Sequence, residues 1–198
     1  VGVTGNSLGW YMALAVAGGV SLKDGAHIVN TTGGLMHKRG SGGQIVYPVV
    51  DEDWKPDAQK LAAVQAVLDN PVGAITTSIR LGGMVVFAAD DAGLKHLMSS
   101  LPKSGQFPFQ IRYHAAFHSQ AMQTISDTAR AQLGSELFSS PRIPMIDGRG
   151  YIWQSGATDL TQLHDYTFGH QITQTYDFSK AIEVAAKEFA PDRFIVLG

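Results

Sequence analysis

Along the chain, short β-branched or aliphatic runs alternate with longer segments whose apolar residues recur at helical spacing, the pattern of an α/β protein. An apolar strand at the start turns sharply at 5–9, and residues 10–17 continue as a helix that is apolar on every side. Gly18-Gly19 ends that helix, and Ser21 is placed to cap a second one from Leu22 to about Lys38, with Leu22, Ala26, Val29 and Leu35-Met36 on its inner face. A glycine-rich hinge at 39–43 leads into an alternating strand at 44–50. An amphipathic helix follows at 57–68, with Leu61, Val64 and Leu68 inward. Residues 72–79 and 84–89 read as two strands joined at 80–83. Asp90 caps a helix to about Leu101, and 107–113 is a further strand.

That order, β-α-β-β-α-β, is a split βαβ, ferredoxin-like unit. Beyond it, 114–122 opens a helix that runs to about Leu133. Loop follows at 135–142, a strand at 143–146, a turn at 147–150, and a short helix at 159–166. A clearer helix at 178–189 carries Ile182, Val184 and Phe189, and 193–197 reads as a final buried strand. The expected architecture is α/β. A large lobe built on a parallel sheet comes from 1–40 and 114–198, and a ferredoxin-like small lobe from 41–113 is inserted into it. Because the chain enters directly on the strand before its sharpest turn and stops straight after an apolar run, it is expected to be part of a longer protein, truncated at both ends.

Composition narrows the chemistry. With 198 residues, 44% of them hydrophobic, the chain has enough apolar material for a sizeable core. A net charge of −2, with basic residues scattered, speaks against a nucleic-acid surface. No apolar run reaches the roughly 18 to 20 residues of a membrane span. Zero cysteines exclude disulfides, thiolate metal sites and a cysteine nucleophile, and fit a cytoplasmic setting. No metal is expected.

The turn itself is chemically specific. Strand, Gly5-Asn6-Ser7-Leu8-Gly9, helix is the G-x-S-x-G nucleophile elbow of parallel-sheet, α/β-hydrolase-like folds. A serine at the tip of such a turn is held in a strained conformation and exposed. The Leu8 N–H, at the helix start, then aims at a developing oxyanion. Seven histidines are available as the base: His27, His37, His96, His114, His118, His164 and His170. The first three sit on helix bodies. His118 stands at a strand-to-helix junction, where side chains converge on a cleft, and is the preferred base.

GNSLGWYMALAVAGGVSLKD resembles the GHSLGEYSALxxAG elbow of the acyl-carrier-protein S-malonyltransferases and the acyltransferase domains of polyketide synthases. AFHSQAM resembles their histidine signature, and YDFSKAIEVAAKE with RFIVLG resembles their closing helix and strand. The resemblance implies an acyl-CoA:acyl-carrier-protein S-acyltransferase of fatty acid or polyketide biosynthesis, malonyltransferase-like and ping-pong in mechanism. Ser7 would be acylated, His118 would be its base and the Leu8 N–H an oxyanion donor. A backbone carbonyl would orient the imidazole, expected from around Tyr176-Asp177, so that Asp177 marks the histidine-orienting position. Asn6, Thr32 and Phe117 would line the acyl pocket. No cofactor would be bound: acyl-CoA is a substrate, and the partner is an acyl carrier protein bearing phosphopantetheine.

The chain departs from that pattern at several places. Asn6 stands for a histidine, Trp10 for a glutamate or glutamine, and Thr32 for the arginine that clamps a malonyl carboxylate. A Gly-Gln-Gly segment that completes the oxyanion hole is also missing. With Thr32 there, a preference for malonyl is not expected unless Arg39, Arg80 or Arg112 takes over. Two other classes fit less of the pattern. One is an α/β-hydrolase esterase or thioesterase using Asp147 with His164 or His170; the other is a non-catalytic acyltransferase-like protein.

Overall fold

The computed structural model describes residues 1–197. Strand β1 (Val3–Thr4) feeds the elbow, and α1 (Leu8–Ala17) and α2 (Leu22–Arg39) follow it. Gly18, at φ 76, closes α1 in the left-handed conformation that suits a residue without a Cβ, and the Gly19 amide donates to the Leu14 carbonyl. Ser21 caps α2 by accepting from the Asp24 N–H. The fully buried residues of α2 are Gly25, Ile28 and Thr32; Val29, Leu35 and Met36 pack against the core as expected, whereas Leu22 and Ala26 are exposed. Gly25 faces Ala15 and Val20, which brings α2 against α1.

Residues 43–111 form β2 (Gly43–Pro48), α3 (Ala58–Asp69), β3 (Ile75–Leu81), β4 (Met84–Ala89), α4 (Asp91–Ser100) and β5 (Phe109–Ile111). Their strands lie in the order β5-β2-β4-β3, with antiparallel pairing throughout. Asp57 and Asp90 cap α3 and α4 by accepting backbone N–H bonds. Val64 and Val67 are the buried residues of α3; Leu61, expected inward, is exposed. One face of the sheet, with Ile45, Tyr47, Ile75 and Phe87, packs with Val64, Val67, Leu94 and Leu97. The other carries Val46, Ile79, Val86 and Ala88 into the main core beside Trp10, Leu14 and Tyr176. The sheet is thus covered on both sides, which is why its strands are apolar on both faces.

The remaining elements are α5 (Gln123–Gln132), β6 (Met145–Ile146), β7 (Ile152–Trp153), α6 (Leu160–Asp165), α7 (Gln171–Thr173), β8 (Tyr176–Asp177) and α8 (Phe178–Phe189); a π-helical turn, Tyr166–His170, links α6 to α7. β1 pairs parallel with β6, as expected, but β7 returns antiparallel to β6 through the 147–150 turn. The sheet beside the elbow is therefore three-stranded and mixed. β8 leaves this part of the chain and joins the other sheet, parallel to β3, so the two halves are stitched by backbone bonds. Among the described residues, 193–197 form no strand: Ile195, Val196 and Leu197 are more than four-fifths exposed, with no sheet edge beside them.

Candidate active site

The elbow is set by its backbone. Ser7 sits at φ 54, ψ −111, a conformation costing a non-glycine residue on the order of 1–3 kcal/mol. The strain persists because the surrounding carbonyls are all held. Tyr176 Oη donates to Gly5 O, Gly9 N to Asn6 O (2.8 Å), and both Trp10 N (3.0 Å) and Gln171 Nε2 (3.1 Å) donate to Ser7 O. Of the two elbow glycines, only the first is sterically required. A Cβ on Gly5 would collide with the Gly9 carbonyl, whereas Gly9 has open space around it. Gly5→Ala is expected to destabilise the fold by about 2–3 kcal/mol, in the range of forced overpacking, and Gly9→Ala by much less. Denaturant midpoints of the two variants check this.

Ser7 Oγ lies 2.7 Å from His118 Nε2, and His118 Nδ1 lies 2.6 Å from the Gln171 carbonyl. A carbonyl only accepts, so Nδ1 carries the proton and Nε2 presents its lone pair to the serine hydroxyl. Gln171 is free to serve because its helix stops at Thr173, leaving its carbonyl among the orphans of a helix C-terminus. The negative end of a helix also stabilises an imidazolium once formed. Asp177, expected to orient the histidine, does not. It caps α8 at the Lys180 N–H and faces Arg80 at 3.6 Å. The residue type at the orienting position carries no signature, since only its backbone acts.

The imidazole is 4% exposed and packs on Tyr176 at 5.5 Å between ring centroids. Burial pulls its pKa down to about 4, with the Gln171 carbonyl acting weakly the other way. The His118 imidazole is therefore held neutral across the physiological range. Acylation of Ser7 is expected to hold its rate as pH falls through 6.5, where an ordinary histidine titrates, and to fall only towards about 4. Labelling rates of Ser7 by a fluorophosphonate across pH 4–8 read this.

The Leu8 N–H stands at the first helical position of α1, one of the amides without an intrahelical partner. Asn6 Oδ1 is buried with no hydrogen-bond partner among the described residues. Thr32, 2% exposed, donates its hydroxyl to the Ile28 carbonyl of its own helix (2.8 Å). Phe117 is half-buried against the ring of His114. Tyr11 and Gln171, neither of them read from the sequence, join these groups: Tyr11 Oη donates to Gln171 Oε1 at 3.2 Å. Burial pushes the Tyr11 phenol well up, and the neighbouring Thr32 hydroxyl offsets part of that.

The hydrolase alternative is not assembled. Asp147, fully buried, accepts from Arg149, Tyr151 N and Trp153 Nε1. His164 bonds the Leu133 carbonyl, and His170 stacks on Tyr166. Neither histidine is the partner of Ser7.

Comparison with solved structures identifies the fold. Malonyl-CoA:ACP transacylase of Synechocystis sp. PCC 6803 superposes with a TM-score of 0.77 at 19% identity, over 94% of this chain and 59% of that one. The fold is that of the malonyl-CoA:acyl carrier protein transacylases. An acyltransferase domain from the second module of the salinomycin polyketide synthase also has it, with a TM-score of 0.67 at 22% identity over 93% of this chain and 41% of that one. In sequence, 145 residues are 29% identical to polyketide synthase GfsA of Streptomyces halstedii, which is 73% of this chain and 2% of that protein. No protein-family model matches. The chain thus spans about three-fifths of the Synechocystis transacylase and a small part of the synthase. Another structure with the transacylase fold is a malonyl-transacylase in complex with its type II polyketide acyl carrier protein, with a TM-score of 0.73 at 18% identity.

Proposed function

We propose that the protein is a serine acyltransferase that moves an acyl group from coenzyme A to the phosphopantetheine thiol of an acyl carrier protein. The observation that carries this reading is the line from Ser7 Oγ through the His118 ring to the Gln171 carbonyl, set in a transacylase fold. In the first half-reaction, Ser7 Oγ attacks the thioester carbonyl and gives its proton to His118 Nε2. The Leu8 N–H faces the oxyanion, and collapse breaks the C–S bond while Nε2 protonates the departing thiolate. In the second, the carrier thiol gives its proton to Nε2 and attacks the acyl ester. The C–O bond breaks and Ser7 recovers the proton. In this reading, residues 1–40 and 114–198 are the catalytic lobe and 41–113 the small lobe, with Asn6, Thr32 and Phe117 at the acyl pocket.

The acyl group in this reading carries no obligatory carboxylate. Thr32 spends its hydroxyl on the Ile28 carbonyl, and a buried carboxylate needs a charged partner. Of the arginines that could substitute, Arg39 donates to Thr128 at 3.2 Å, Arg80 faces Asp177, and Arg112 is exposed. Side-by-side acylation by malonyl-CoA and acetyl-CoA is expected to show no strong preference for malonyl. Thr32→Arg should raise malonyl relative to acetyl by about tenfold or more, the scale of a charge-assisted pair. A wild type that strongly favours malonyl overturns the substrate reading.

A further inference from the structure

His118 owes its position to its backbone as much as to its ring partners. It sits at φ 56, in the left-handed region that a side chain rarely adopts. Something must hold the peptide that precedes it. The carbonyl of that peptide, Phe117 O, accepts from Ser78 Oγ at 2.7 Å. Ser78 in turn accepts from Gln44 Nε2 at 2.7 Å, and Gln44 Oε1 lies 2.6 Å from His114 Nδ1. Because Gln44 Oε1 only accepts, His114 Nδ1 is the donor. Three hydrogen bonds therefore point one way round a closed loop, leaving the histidine segment at His114 and returning to it at Phe117.

Two features mark this loop as built for position. Gln44 is 2% exposed and Ser78 fully buried, on sheet positions where apolar residues would otherwise pack. Ser78 is also the extra residue of β3. The register with β4 shifts between Thr77 and Ile79, so both Ser78 and Ile79 are buried and Ile79 enters the main core. A bulge is a device for re-aiming a side chain, and this one aims a hydroxyl at the histidine segment.

We propose that Ser78, supported by Gln44 and His114, is a positioning residue for the base: it clamps the Phe117–His118 peptide and keeps Nε2 at the serine. The proposal rests on the acyl-serine reading above. Without the clamp the part-buried Phe117 carbonyl loses its partner, and His118 can relax towards negative φ, carrying its ring off Ser7 and admitting water.

The test uses the full-length protein and a fluorophosphonate as the probe of Ser7, followed by intact mass over a pH range. Ser78→Ala is expected to label about 10- to 100-fold more slowly, the usual cost of a misplaced catalytic group. Its rate should also titrate at a higher pH than wild type, as water reaches the imidazole. Tyr176, the titratable side chain packed on that ring, stays protonated because burial raises its phenol. Ser78→Thr, which keeps the hydroxyl, should restore most of the rate. Gln44→Met should shift the profile in the same direction by less, and it carries the test if Ser78→Ala does not fold. A folded Ser78→Ala, or failing that a folded Gln44→Met, with wild-type rate and an unshifted profile overturns the proposal. A wild type that never labels overturns the acyl-serine reading itself, a different outcome from a labelled wild type and an indifferent Ser78 variant.

Discussion

Ser7→Ala is expected to reduce acyl transfer by on the order of 10⁴- to 10⁶-fold, the loss seen when a covalent nucleophile is removed. The reason lies in how little else the site offers. The chain has no cysteine, and the His118 Nε2 lone pair faces the serine hydroxyl at 2.7 Å. Without Oγ there is no atom to accept the acyl group, so the burst of coenzyme A release should vanish rather than slow. The fold should survive, because Oγ makes its bond to His118 while the elbow is held through the Gly5, Asn6 and Ser7 carbonyls. Quenched-flow measurement of released coenzyme A, with a thermal midpoint alongside, separates loss of chemistry from loss of structure.

His118→Ala is expected to slow both half-reactions by about 10²- to 10⁴-fold, because in the proposed mechanism one imidazole takes the serine proton in the first and the carrier thiol proton in the second. Combining it with Ser7→Ala should cost no more than Ser7→Ala alone, since the two residues act as a unit. The effect of the substitution on stability should depend on pH. His118 is held neutral by burial, with a pKa of about 4 against 6.5 for a free histidine. The unfolded chain therefore binds a proton that the folded chain refuses as pH falls from 6.5 towards 4, and stability declines across that window. Removing the imidazole removes that decline. Denaturant midpoints at pH 7 and pH 5 should draw closer together in His118→Ala than in wild type.

The sequence made the elbow legible because its geometry demands particular residues. Gly5 must lack a Cβ to meet Gly9, and the serine must follow it at the tip. The β2 to β5 pattern was legible too, since alternation, Asp57 and Asp90 caps and glycine turns each carry a local signal. What was not legible acts through backbone or through tertiary neighbours. The carbonyl that orients His118 belongs to Gln171, where any residue could supply it, and Asp177 was only close in sequence. Tyr176 lay in the segment expected near the histidine, but its side chain was not legible as the donor to the Gly5 carbonyl. Ser78 looked like one polar position in a β-branched strand. Only the bulge, which depends on β4, turns it towards the histidine. The run at 193–197 misled in the other direction: it is apolar enough for a central strand, but a strand exists only beside a partner, and among the described residues this run is exposed and pairs with none.

The central claim is that Ser7 carries the acyl group between two thiols. Intact-mass measurement of the full-length protein with a panel of acyl-CoAs, followed by addition of a phosphopantetheine-bearing acyl carrier protein, tests it most directly. The expected result is a mass increment equal to one acyl group, mapped to Ser7, absent in Ser7→Ala, and transferred to the carrier on mixing. An increment that maps elsewhere, or none with any acyl-CoA in the panel, would contradict it.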